Sequence, residues 1–95
     1  MNAHKKVTEN EPQHRFELPI ANGALATAYY RIEDGRVVLI HTEVPSEFQG
    51  QGIASQLMHG TFDLLRQSGR KAILRCPFVV WFYAKHPEYA DVVAG

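Results

Sequence analysis

The residues in this chain best suited to chemistry are Gln49, Gly50, Gln51, Gly52, Ile53, Ala54 and Ser55, a glycine-containing turn that leads straight into an amphipathic segment. Glycine lacks a Cβ, so Gly50 and Gly52 can take positive φ and let an anion come close to peptide N–H groups. A helix beginning near Gly52 supplies the rest. Its first N–H groups have no intrahelical partner, and the aligned peptide dipoles gather about half a positive charge there. Together these features form a seat for a phosphate or pyrophosphate. Two familiar phosphate loops do not fit. G-x-G-x-x-G fails because Ser55 stands where the third glycine is required, and a Walker loop fails because no Gly-Lys-Ser/Thr follows.

Composition bounds what such a seat can serve. At 95 residues the chain makes one domain with one core and no separate substrate domain, so any active site is shallow or shared. Ten basic and ten acidic residues cancel, so there is no global field to concentrate nucleic acid or anionic membrane, and neither is expected as a partner. The single cysteine, Cys76, cannot form an intramolecular disulfide, and the N-terminus lacks the apolar stretch of a secretory signal; a reducing, cytoplasmic location is expected. The longest apolar run, Phe78 to Ala84, falls well short of the ~20 residues that span a bilayer. His4, His14, His41, His59 and His86 show no ligand spacing, and Cys76 has no cysteine companion, so no metal is expected.

The elements that must position the turn can be read from periodicity. Met1 to Gln13 has no repeating apolar position and is expected to be a flexible tail, leaving 14–95 as the folded domain. His14 to Ile20 alternates and predicts a first strand, ended by Ala21-Asn22-Gly23. Leu25 to Ile32 predicts a second, joined through a type I′ turn at Asp34-Gly35 to a third at Val37 to Val44. Because Val37 to Ile40 is apolar on both faces, this third strand should be central. Helical spacing runs from Gly52 to Ser68, and Gly69 suits a left-handed cap. Lys71 to Cys76 predicts a fourth strand, parallel to the third through a right-handed crossover. Pro77 then opens a helix to Lys85, stopped by His86-Pro87, with one more helical turn expected within Glu88 to Val93. The expected fold class is α/β in an α+β arrangement: a mixed sheet of three antiparallel strands, a helix, a parallel fourth strand and a C-terminal helix.

Gln49-x-x-Gly52-x-Ala54, set between an apolar strand and a helix, resembles the acetyl-CoA pyrophosphate loop of the GNAT acetyltransferase superfamily, Q/R-x-x-G-x-G/A. With Ile40-His41-Thr42-Glu43-Val44, Cys76-Pro77-Phe78 and Tyr83-x-x-His86-Pro87-Glu88-Tyr89, the likeness extends from about Leu25 to Val93 and points to the short, single-domain members. The resemblance implies that the third strand splays from the fourth and that the pantetheine arm of acetyl-CoA lies in the opening. Its walls would be Thr42, Glu43 and Val44 on one side and Cys76, Pro77 and Phe78 on the other. The pyrophosphate would sit on Gln49 to Ala54, with Ser55 adding a hydroxyl, and Lys85 would meet the adenosine 3′-phosphate. Two departures from larger members bear on the acceptor: no helices separate the first two strands, and the chain ends soon after Tyr89.

Acetyl transfer to an amine needs a neutral amine, a group to take its proton and donors for the charge that builds on the thioester oxygen. Backbone N–H groups near Val44 could be those donors. Glu43, directly or through water, is the candidate base, with an ordinary exposed carboxylate as the alternative; His41, on the same strand face, shares the role or is structural. Cys76 either accepts the acetyl group covalently or packs as a small apolar residue. Tyr83 either protonates the leaving thiolate or belongs to the core. The resulting expectation is an acetyl-CoA-dependent N-acetyltransferase acting on a small or peptidyl amine, as a monomer or weak homodimer. The rival is a noncatalytic acyl-CoA-binding module.

Overall fold

The computed structural model describes residues 6–94. The chain runs β1 (Thr8–Asn10), β2 (Arg15–Pro19), β3 (Leu25–Glu33), β4 (Arg36–Glu43), α1 (Ile53–Gln67), β5 (Ala72–Leu74) and α2 (Pro77–Lys85), with short 3-10 turns at Glu11–Gln13, Ser46–Phe48 and Pro87–Tyr89. The five strands form one sheet in chain order. β1 to β4 pair antiparallel, while β4 and β5 run parallel, Val37 beside Ala72 and Leu39 beside Leu74. Asp34 and Gly35 both have positive φ, as the predicted type I′ hairpin demands.

One face of the sheet carries Phe16 and Leu18 from β2, Ala26, Ala28 and Tyr30 from β3, and Val37 and Leu39 from β4. Against it pack Leu57, Met58, Phe62 and Leu65, the apolar stripe of α1. α2 joins the same core through Val79 and Phe82, with the Phe62 and Phe82 rings stacked 5.8 Å apart and Tyr89 stacked on Phe62 at 5.0 Å. Each fully buried side chain of this size stabilises the fold by about 1.5–3 kcal/mol. Among the described residues no helix is long and apolar enough to cross a membrane.

One expectation needs correction. Residues 8–13 are not a flexible tail: Thr8, Glu9 and Asn10 pair with Glu17, Phe16 and Arg15 as an edge strand, and the 3-10 turn follows. The expectation for 1–5, which include His4, falls outside the described residues. The strand is too short to show alternation, and its ordering comes from side chains distant in sequence. Glu9 accepts from Arg70 at 2.8 and 3.1 Å and from the Tyr30 hydroxyl, and Val7 packs against the core. The further helical turn expected within Glu88 to Val93 is present as the 3-10 turn Pro87–Tyr89 and the turn that carries it on to Val92. Beyond it the chain meets β5: Ala72 N–H donates to Val92 O at 2.7 Å, Ala94 N–H donates to Ala72 O at 2.8 Å, and Val93 bridges Ala72 in parallel.

Candidate functional site

The site begins where β4 and β5 part. β5 pairs with β4 only to Leu39, whose carbonyl accepts from both Arg75 N–H and Cys76 N–H at 3.0 Å. Beyond Leu39, β4 continues to Glu43 paired with β3 on its other side. Pro77 cannot continue a strand; it starts α2 with Cys76 as its N-cap. A wedge thus opens between Ile40–Glu43 and Cys76–Phe78, and the Thr42 Oγ1 to Cys76 Sγ distance across it is 3.5 Å.

A bulge at Ile40 decides which side chains face that wedge. Tyr30 pairs with Leu39 and Tyr29 with His41, leaving Ile40 without a partner, 36% exposed. Thr42, opposite core residue Ala28, therefore lies on the core side with Cys76. His41 and Glu43, opposite Tyr29 and Thr27, lie on the other face. There His41 Nε2 and Glu43 Oε2 stand 3.1 Å apart, both side chains more than half exposed, and the imidazole stacks on Tyr29. The same row continues across β3 to Arg15, whose guanidinium donates to the Tyr29 hydroxyl and to Glu17, holding that carboxyl below its ordinary pKa. The candidate catalytic residues thus form two groups. His41 and Glu43 are together, Cys76 pairs with Thr42, and the bulge separates the pairs. Tyr83 is half-buried against the core. Cys76 is 5% exposed.

The glycine turn follows β4 after the 3-10 turn at Ser46–Phe48. Gln49 Nε2 donates to Val44 O at 3.0 Å, which ties the turn to the strand end. Gly50 has φ 80° and Gly52 φ 77°, conformations that a side chain disfavours. Gly52 is the N-cap of α1 and has no side chain to cap it, so the N–H groups of Ile53, Ala54 and Ser55 point outward without helical acceptors; the first helical bond runs from Gln56 N–H to Gly52 O at 3.1 Å. These groups line a cavity of about 210 Å³ together with Val44, Phe48, Phe78 and Trp81. A larger hollow of about 560 Å³ lies between Lys6–Glu9 and the outer side of α1 and contains none of the candidate residues.

Lys85 is exposed, its Nζ 5.7 Å from the centre of the Trp81 ring. Phe48 and Trp81 also line the cavity, and no motif in the sequence marks either of them. Trp81 stands three residues after Phe78 and four before Lys85, a spacing that places all three on one stripe of α2. The histidines near α2 are engaged structurally: His59 Nδ1 lies 2.8 Å from the Tyr89 hydroxyl, and His86 Nδ1 lies 3.2 Å from Glu88. Among the described residues no cluster of three or more His, Cys, Asp or Glu is arranged to hold a metal.

Known proteins resemble this chain in sequence and in fold. A model of the GCN5-related N-acetyl-transferase family matches residues 15–92. Protein NATD1 of Danio rerio is 29% identical over 91 residues, covering 90% of this chain and 82% of that protein. Protein NATD1 of Xenopus tropicalis is 37% identical over 51 residues, a stretch amounting to 54% of this chain and 47% of that protein. The solution structure of a GCN5-like protein from Staphylococcus aureus superposes with a TM-score of 0.70 at 27% identity, covering 95% of this chain and 88% of that one.

Proposed function

Because the chain belongs to the GCN5-related N-acetyltransferase family, we propose that it binds acetyl-CoA between β4 and β5 and transfers the acetyl group directly to a small-molecule or peptidyl amine. The observation that carries this reading is the uncapped N-terminus of α1, held open by Gly50 and Gly52 over a cavity that adjoins the wedge. Backbone N–H groups of Ile53 to Ser55 would hold the pyrophosphate, where charge-assisted bonds are strong. Thr42, Val44, Cys76, Pro77 and Phe78 would flank the pantetheine arm, and Lys85 would neutralise the 3′-phosphate.

The chemistry asked of the protein is modest. The amine nitrogen forms a bond to the thioester carbonyl carbon, the carbon–sulfur bond breaks, and the amine loses a proton. Glu43, which has His41 beside it on the exposed sheet face, would take that proton directly or through water. Strand-end N–H groups near Val44 would stabilise the oxyanion. Cys76 is nearly buried beside Thr42, which favours a packing role over an acyl relay.

Isothermal titration tests the donor site. Acetyl-CoA should bind the wild-type chain in preference to ATP, and Gly52→Glu should abolish binding by placing a carboxylate in the phosphate seat. A Cβ at Gly52 meets no protein atom within 4 Å, and circular dichroism separates lost binding from unfolding at the strained φ. No binding, or equal binding by the variant, would overturn the reading. Binding without turnover on any amine of a panel would leave an acyl-CoA-binding module.

A further inference from the structure

We propose that Trp81 is the surface on which the adenine ring of the acyl-CoA donor stacks, and that Lys85 leaves the indole face for the adenosine 3′-phosphate when the donor binds. The inference rests on the donor site proposed above and extends it to the nucleotide end. A single exposed aromatic is ordinary on a protein surface, and Val80 beside Trp81 is just as exposed. What distinguishes Trp81 is its place. It is 51% exposed yet lines the same cavity as Gly50, Gly52 and Ser55.

Its neighbours complete the pattern. Phe78, one turn earlier on α2, lies against the indole with ring centres 5.6 Å apart, so the aromatic surface is continuous and braced from one side. Lys85, one turn later, covers the ring with its ammonium group at 5.7 Å. From the glycine turn outward the wall therefore presents backbone N–H groups and a planar apolar surface, with the exposed Lys85 cation over that surface. The 3′-phospho-ADP portion of CoA presents the complementary set: pyrophosphate, purine and phosphomonoester. A cation over an exposed indole is weakly held, so a purine can displace it, and the phosphate gives the displaced ammonium a stronger partner. Stacking by itself accepts any base, since every base has a π-face; the choice of CoA over ATP then falls to Lys85 and the 3′-phosphate.

The chain has one tryptophan, so its emission reports on this position alone. The full chain would be titrated with CoA, 3′-dephospho-CoA and 4′-phosphopantetheine, following emission and heat in parallel. CoA and 3′-dephospho-CoA should quench Trp81, whereas 4′-phosphopantetheine should bind without quenching. Trp81→Ala should weaken CoA about tenfold and leave 4′-phosphopantetheine within about twofold, and Trp81→Phe should recover most of the loss. Lys85→Ala should erase the preference for CoA over its 3′-dephospho form. If CoA binds by calorimetry with emission unchanged, or if Trp81→Ala weakens CoA and 4′-phosphopantetheine alike, this inference fails while the donor site stands. If the wild-type chain binds no CoA at all, both fail.

Discussion

Around Thr42 one extra residue in a strand separates two possible chemistries. The bulge at Ile40 turns Thr42 toward Cys76 and sets His41 with Glu43 on the opposite face. A carboxylate and a thiol so divided do not form a nucleophile–base pair, and the direct transfer proposed above needs only the first. Glu43→Gln is therefore expected to lower kcat about 100-fold, the low end of general-base effects, with the calorimetric affinity for acetyl-CoA unchanged. Cys76→Ala should retain turnover to within about threefold, because the thiol would hold no covalent intermediate. Intact mass spectrometry of the wild-type chain with acetyl-CoA should show no acetyl adduct; an adduct lost in Cys76→Ala together with activity would establish the relay instead. That His41 and Glu43 share a face was legible from strand alternation. Their separation from Cys76 was not, because Val37 to Ile40 is apolar at every position and leaves the bulge unmarked.

At the level of elements, α1 illustrates how a helix readable from its own periodicity can carry a feature set by another segment. Ile53, Leu57, Met58, Thr61, Phe62, Leu64 and Leu65 announce the buried stripe, and all but the partly buried Leu64 are buried. Gly60 sits in the same helix, where alanine would ordinarily stabilise by about 1 kcal/mol. Here a Cβ would lie 2.3 Å from Cγ2 and 2.5 Å from Cβ of Val7, too close for any rotamer of valine to relieve. The glycine lets the segment before β1 lie against the helix. Gly60→Ala should thus reverse the usual sign and destabilise by about 1–2 kcal/mol, as overpacking does, measured by urea unfolding. A gain in stability would mean that Val7 moves aside without cost. With the first thirteen residues read as a tail, no sequence signal could assign Gly60 this role. Conversely, α2 was placed correctly by Pro77 and His86-Pro87, whereas the path after it was decided by pairing with Ala72.

Across the whole molecule, Glu9 joins the first strand to the loop after α1. Its carboxylate accepts two bonds from Arg70 and one from Tyr30. Arg70 is the chief reason the Glu9 carboxyl lies below its ordinary 4.5, while burial and the neighbouring carboxylate push the Tyr30 phenol well above its ordinary value. A depressed carboxyl pKa means the unfolded chain takes up its proton first. The stabilisation is complete above about pH 4.5 and is lost as pH falls through the lower folded-state value. Glu17 and Asp91 are likewise held below their ordinary values by Arg15 and Arg66, so the variant difference is the informative quantity. Glu9→Gln should cost about 1 kcal/mol at pH 7 and nearly nothing once Glu9 is itself protonated. A difference that persists at low pH would assign the effect to shape rather than charge. Local sequence determined the order of the main elements, the I′ hairpin, the glycine turn before α1 and the family resemblance, because each depends on residues a few positions apart. Tertiary structure alone decided the β1 pairing, the bulge that sorts His41 and Glu43 from Cys76, and the meeting of Trp81 with the glycine turn. Each of those depends on contacts between segments far apart in sequence, which leave no periodic trace in either one.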